Sequence, residues 1–120
     1  MRVLVGEDDP SIAEVVTIIL ENDGHEVLHA PDEKTLQSFI TKSPDLILLD
    51  ISLGGADGGT ITKNIKKEPQ YSGVPIVIVS ANSDTEKIAK NSGADGFLLK
   101  PFEMDELLKL VTSYSSKPLS

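Results

Sequence analysis

A chain of 120 residues, 39% hydrophobic and 25% charged, has the size and make-up of one globular domain with a core large enough to fold alone. Its net charge of −8 and its 4% aromatic content, with no Trp, argue against nucleic-acid binding and against an anionic membrane surface. The absence of cysteine removes disulfides and thiolate metal sites, no apolar run approaches the roughly 20 residues of a bilayer span, and the start turns acidic at Glu7, too soon for a signal peptide, so a cytoplasmic location is expected.

Val3-Leu4-Val5 predicts a first strand, followed by Gly6-Glu7-Asp8-Asp9-Pro10, three acids and then a residue suited to the first turn of a helix. Ile12, Val15, Val16 and Ile19 recur at the spacing of an amphipathic helix, which Asn22-Asp23-Gly24 closes. Glu26–Ala30 predicts strand 2. Pro31-Asp32 opens a helix with Leu36, Phe39 and Ile40 on one face, stopped by Ser43-Pro44. In Asp45-Leu46-Ile47-Leu48-Leu49-Asp50 an apolar run ends on a carboxylate, as suits a third strand buried on both faces.

A Gly-rich loop, Ile51 to Gly59, leads to a helix from about Thr60 to Lys67 with Ile61 and Ile65 inward. Val74–Val79 predicts strand 4, ending at Ser80-Ala81-Asn82. Ser83 and Glu86 have the spacing of a capping box for the next helix, which Asn91-Ser92-Gly93 ends. Phe97-Leu98-Leu99 predicts strand 5, finishing on Lys100-Pro101, and Met104, Leu107, Leu108 and Val111 form the stripe of a last helix. A domain over 1–113 and a frayed polar tail over 114–120 are expected. Five strands alternating with five helices predict an α/β fold: a parallel, doubly wound sheet of order 2-1-3-4-5, flavodoxin-like, with its ligand crevice where strands 1 and 3 diverge.

The strand ends bring Glu7, Asp8 and Asp9, then Asp50, Ser80 and Lys100, to that one edge. Each has an ordinary structural reading: the first acids cap helix 1, Asp50 caps a loop, Ser80 merely ends a strand, and Lys100 is a solvated charge. Together they have one chemical sense. Clustered carboxylates need a counter-charge, and an all-oxygen donor set without Cys or His favours Mg²⁺, with Mn²⁺ as the alternative. Asp50 is then the nucleophile that accepts a phosphoryl group, while Ser80 donates a hydrogen bond to one of its oxygens and Lys100 places a positive charge by another.

These motifs, Glu7-Asp8 in VLVGEDDP, Asp50 in DLILLDISLGGADG, Ser80-Ala81 in VPIVIVSA and Lys100-Pro101-Phe102 in GADGFLLKPF, resemble those of response-regulator receiver domains of two-component signalling over nearly all of residues 2–112. The resemblance implies that Glu7, Asp8, Asp50 and the main-chain carbonyl of Ser52 hold Mg²⁺, and that Asp50 is phosphorylated by a sensor histidine kinase or a histidine phosphotransfer protein. It implies a cis Lys100-Pro101 bond. It also implies a switch in which Ser80 and Phe97 move together and reshape the surface of helix 4, strand 5 and helix 5. That surface would bind a downstream protein or pair two phosphorylated copies; no direct nucleic-acid or membrane contact is implied.

Three departures matter. Leu53-Gly54-Gly55 stands where the family usually reads Met-Pro-Gly, which predicts a more mobile loop. Phe97 replaces the common Tyr, so no hydroxyl is available there. Ser52 and Asn82, at the positions that tune phosphoryl lifetime in the family, offer no carboxylate to orient an attacking water, and self-dephosphorylation is expected to be moderate to slow. A flavodoxin-like FMN binder is disfavoured because Glu7-Asp8-Asp9 would repel the phosphate. A haloacid-dehalogenase-type phosphatase is disfavoured by Ser52, where a second Asp is wanted. A stand-alone regulator, or a phosphotransfer intermediate, is expected over a receiver excised from a longer regulator or hybrid kinase.

Overall fold

The computed structural model describes residues 1–115. Its central sheet is built from β1 (Arg2–Gly6), β2 (Glu26–Ala30), β3 (Leu46–Asp50), β6 (Ile76–Ser80) and β7 (Gly96–Leu99), all parallel, in the order β2-β1-β3-β6-β7. This is the expected topology, with β6 and β7 in the places of the expected strands 4 and 5. Two short strands missed by the sequence reading, β4 (Ser52–Leu53) and β5 (Ala56–Asp57), pair antiparallel in the loop after Asp50. Gly54 and Gly55 have φ of +54° and +87°, the signs that a two-residue hairpin turn of the primed kind requires at both central positions. The glycines expected to loosen the loop are therefore the turn residues of a defined hairpin, anchored by the fully buried Leu53.

The strands alternate their side chains between two layers. Leu4, Ile47, Leu49, Ile76 and Ile78 pack beneath α2 (Glu33–Ile40), α3 (Gly58–Lys67) and α4 (Thr85–Ser92), together with Leu36, Ile40, Ile61, Ile65 and Ala89. Val3, Val5, Leu46, Leu48, Val77 and Val79 pack beneath α1 (Pro10–Asn22) and α5 (Met104–Ser113), with Val16, Leu20, Leu107 and Val111. Central β3 is thus apolar on both faces, as a parallel strand covered by helices on each side must be.

Several helix details differ from the sequence reading. On α1 the buried positions are Ala13, Val16 and Leu20, while Val15 is 54% exposed. Opposite the polar stripe of Glu14, Thr17 and Glu21 the helix has a wide apolar arc that also takes in Val15 and Ile18, so periodicity alone could not choose which apolar residues face inward. Met104 on α5 is likewise exposed, because the helix begins at that residue and only Leu107 and Val111 are fully covered. The expected Ser83/Glu86 capping box does not form: Asp84 occupies the N-cap without a side-chain bond, and its own amide donates to Asn82 Oδ1 at 2.8 Å. A capping box instead joins Glu103 and Glu106 at the start of α5. Tyr114, placed in the frayed tail by the sequence, caps α5 and donates from its hydroxyl to the Asp95 carbonyl at 3.2 Å. The rest of that expected tail, 116–120, lies outside the described residues.

Candidate functional site

Parallel strands deliver their last residues to one edge, and here that edge collects the charged residues. Asp50 ends β3, beside Val79 of β6, and Ser80 follows one position on. Glu7 follows β1 directly, its amide donating to the Ala30 carbonyl at 3.1 Å, and Asp9 then caps α1 through the amides of Ser11 and Ile12. The ordinary capping role thus falls to Asp9, which leaves Glu7 and Asp8 for other work.

Lys100 reaches in from β7. Its Nζ donates to Glu7 Oε1 and to Asp50 Oδ2, both at 3.0 Å. The Lys100-Pro101 bond is cis. One lysine therefore faces two carboxylates whose side chains are only 6% and 12% exposed. Asp8 stands close by at the surface: Glu7, Asp8 and Asp50 each offer an oxygen within 4.8 Å of the others. Burial, and then the neighbouring Asp50 carboxylate, push the Glu7 carboxyl above its ordinary range, against the opposing pull of Lys100 and the Asp9 amide. For Lys100, burial acts to lower the pKa, but the hydrogen bonds and charges of Glu7 and Asp50 outweigh it and raise it. The lysine stays protonated, and the crevice still carries an excess of negative charge. Such an oxygen-only, anion-rich set suits a hard divalent cation.

The remaining expected residues occupy the same edge or the strand beside it. Ser80 is buried, and its Oγ accepts the Asn82 amide at 2.9 Å, which leaves the hydroxyl proton free to donate elsewhere. The Lys100 amide donates to the Ser80 carbonyl at 2.8 Å, tying the two strand ends together. Ser52 is exposed on β4, its amide donating to Asp50 Oδ1 at 3.3 Å. Asn82 is exposed, with its side chain occupied by the Asp84 amide. Phe97, on β7 opposite Ile78, is half-buried against the cluster beneath α4.

Two contributors were not foreseen. Gly58, the first residue of α3, donates its amide to Ile51 at 2.7 Å and lies so close to the Asp50 carbonyl that no Cβ fits. The Gly54 amide, at the tip of the hairpin, donates to Asp8 Oδ2 at 3.1 Å. The glycine run was the available signal, but a glycine does not announce what its backbone approaches.

A five-stranded parallel sheet with helices on both faces, and an acidic crevice bridged by one lysine at its carboxyl edge, places the chain among flavodoxin-like α/β proteins of the chemotaxis-regulator type. Solved structures agree: chemotaxis response regulator CheY4 of Vibrio cholerae matches with a TM-score of 0.86 at 30% identity, covering 94% of this chain and 97% of that one. The receiver domain of NtrX from Brucella abortus matches with a TM-score of 0.83 at 32% identity, covering 95% and 97%. The family model for the response regulator receiver domain matches residues 3–112, and the chain belongs to that family. Among curated relatives, the DNA-binding response regulator MtrA of Mycolicibacterium smegmatis is 38% identical over 113 residues, 92% of this chain and 48% of its own length. The KDP operon transcriptional regulatory protein KdpE of Escherichia coli is 38% identical over 109 residues, 88% of this chain and 47% of its own. The chain thus spans about half the length of these relatives. No helix among the described residues is long and apolar enough to cross a membrane.

Proposed function

We propose that Asp50 is the phosphoacceptor of this receiver and that Lys100, Ser80 and a metal-holding set of Glu7, Asp8, Asp50 and the Ser52 carbonyl assist its phosphorylation. The observation that carries this reading is the single lysine shared by two nearly buried carboxylates, with a third carboxylate beside them. A pair of acids held so close needs added positive charge before a phosphoryl group can approach. Mg²⁺, or Mn²⁺ in its place, would supply that charge and screen the phosphoryl oxygens when bound.

The transfer balances simply. An Asp50 carboxylate oxygen attacks phosphorus, the P–N bond of a phosphohistidine donor breaks, and the imidazole leaves with the electron pair and takes a proton. Lys100, already within reach of Asp50 Oδ2, offsets charge on the product, and the free proton of Ser80 Oγ turns to a phosphoryl oxygen. Movement of Ser80 toward the phosphoryl group, followed by Phe97, would shift the population of the α4–β7–α5 surface toward a form that binds a downstream protein. With Ser52 and Asn82 flanking the site, loss of the phosphoryl group is moderate to slow. A sensor histidine kinase or histidine phosphotransfer protein is the donor. To present its histidine it must cover the rim of the crevice, whose apolar part is the cleft of Ile12, Val15, Val16 and Phe102 beside Lys100.

Intact mass after incubation with acetyl phosphate and Mg²⁺ tests the proposal. One phosphoryl group is expected on the wild type, none without metal and none on Asp50→Asn. Phosphorylation that survives Asp50→Asn would refute the assignment.

A further inference from the structure

We infer that the main-chain N–H of Gly54 is a positioning group for the cation site: it holds one oxygen of Asp8 and so presents the carboxylate for metal binding. The inference rests on the metal set proposed above and adds to it a group that lies outside that set. Asp8 is the one exposed member of the acidic trio, and a free surface carboxylate must give up rotamer freedom when it binds an ion. In this chain the Gly54 amide donates to Asp8 Oδ2 at 3.1 Å across 46 residues of sequence, and among the described residues it is the only hydrogen bond that the Asp8 side chain makes.

The donor is itself held in place. The β4–β5 pairing sets Ser52 against Asp57 and Leu53 against Ala56, Leu53 is fully buried, and Asp57 caps α3 through the Gly59 amide. The turn needs φ of +54° at residue 54, which is why a glycine stands there. A Cβ at this position would meet Pro31 and Asp32 at ordinary contact distance, so the backbone angle, not space, is the constraint. Hydrogen-bond donors to ligating carboxylates orient them, and their loss typically weakens metal binding about 10- to 100-fold.

A backbone ester and a side-chain substitution separate the N–H from the shape of the loop. Replacing Gly54 by glycolate, which turns its amide into an ester, removes the donor and leaves the positive φ that a proline would forbid. Gly54→Asn keeps the donor and, with Gly55, makes an Asn-Gly pair, the favoured composition for this turn. Mg²⁺ affinity of the full chain, read by calorimetry, is expected to fall about tenfold or more in the Gly54 ester and to stay within about threefold in Gly54→Asn. Independently of any variant, the Gly54 amide of the wild type should be protected from hydrogen exchange compared with an open loop amide. Unchanged affinity in the Gly54 ester, equal losses in the ester and in Gly54→Asn, or unprotected exchange at Gly54 would each overturn the inference. Wild-type protein that binds no Mg²⁺ would remove the metal reading and this inference together, whereas wild-type binding with an unaffected Gly54 ester would remove the inference alone.

Discussion

At the amino edge of the sheet Lys66 donates to Asp95 at 2.7 Å, and at the carboxyl edge Lys100 donates to Asp50 at 3.0 Å. The two lysines are equally sheltered, with side chains 18% and 19% exposed, so burial does not tell them apart. Their surroundings do. Lys66 also reaches the carbonyls of Val74 and Ser72, and Asp95 Oδ2 also takes the amide of the buried Ile76 at 2.8 Å. That cluster is charge-balanced, ties the end of α3 to the starts of β6 and β7, and leaves little for a ligand. Lys100 is shared between two carboxylates with Asp8 beside them, so its cluster has more acid than base. The same pair of residue types thus makes a joint where charges match and a candidate site where they do not.

Exchanging the two lysines for methionine probes this contrast most strongly. Lys100→Met should slow phosphorylation by acetyl phosphate about 100-fold or more, the usual cost of removing one preorganised charge or donor from a transition state. Lys66→Met should change that rate less than about threefold. Comparable losses in both would erase the distinction between joint and site.

Stability should respond in the opposite sense. Asp95→Ala deprives the Ile76 amide and Lys66 of an acceptor and should cost about 1–3 kcal/mol in urea unfolding, as an unsatisfied buried donor does. Asp50→Ala should cost less than Asp95→Ala in metal-free buffer, because it also relieves repulsion on Glu7. A larger loss from Asp50→Ala would mean that the crevice is a structural joint as well.

The smallest effect is the pH dependence of Glu7. Its folded pKa lies above the ordinary 4.5, so between those two values the folded chain binds more protons than the unfolded one. Its contribution therefore lowers stability as pH rises through that window. Asp32, held below its ordinary range by the Thr35 amide and hydroxyl, contributes in the other direction, its stabilisation being lost as pH falls. Urea midpoints across the acid range should show a slope that Glu7→Gln shifts toward greater stability at higher pH. An unaltered slope would mean that Glu7 titrates normally.

Much of this was legible because it is local or additive along the chain. Four apolar residues before Asp50 specify a strand covered on both faces, and a parallel sheet carries every strand end to one edge, so Glu7, Asp8, Asp50, Ser80 and Lys100 could be grouped without coordinates. The family pattern spans the same positions. What the chain order could not express was direction and approach. Which part of the wide apolar arc of α1 turns inward depends on the sheet it meets, and so Val15 was misplaced. That Asp84 rather than Ser83 caps α4, with its amide on Asn82 Oδ1, is a contact the Ser83/Glu86 spacing does not express. That Gly54 and Gly55 close a hairpin, and that the tip of that hairpin finds Asp8, depends on two loops meeting from 46 residues apart. Periodicity reports what a segment can bury. Only the folded chain decides which backbone amide faces which carboxylate, since that contact belongs to neither segment alone.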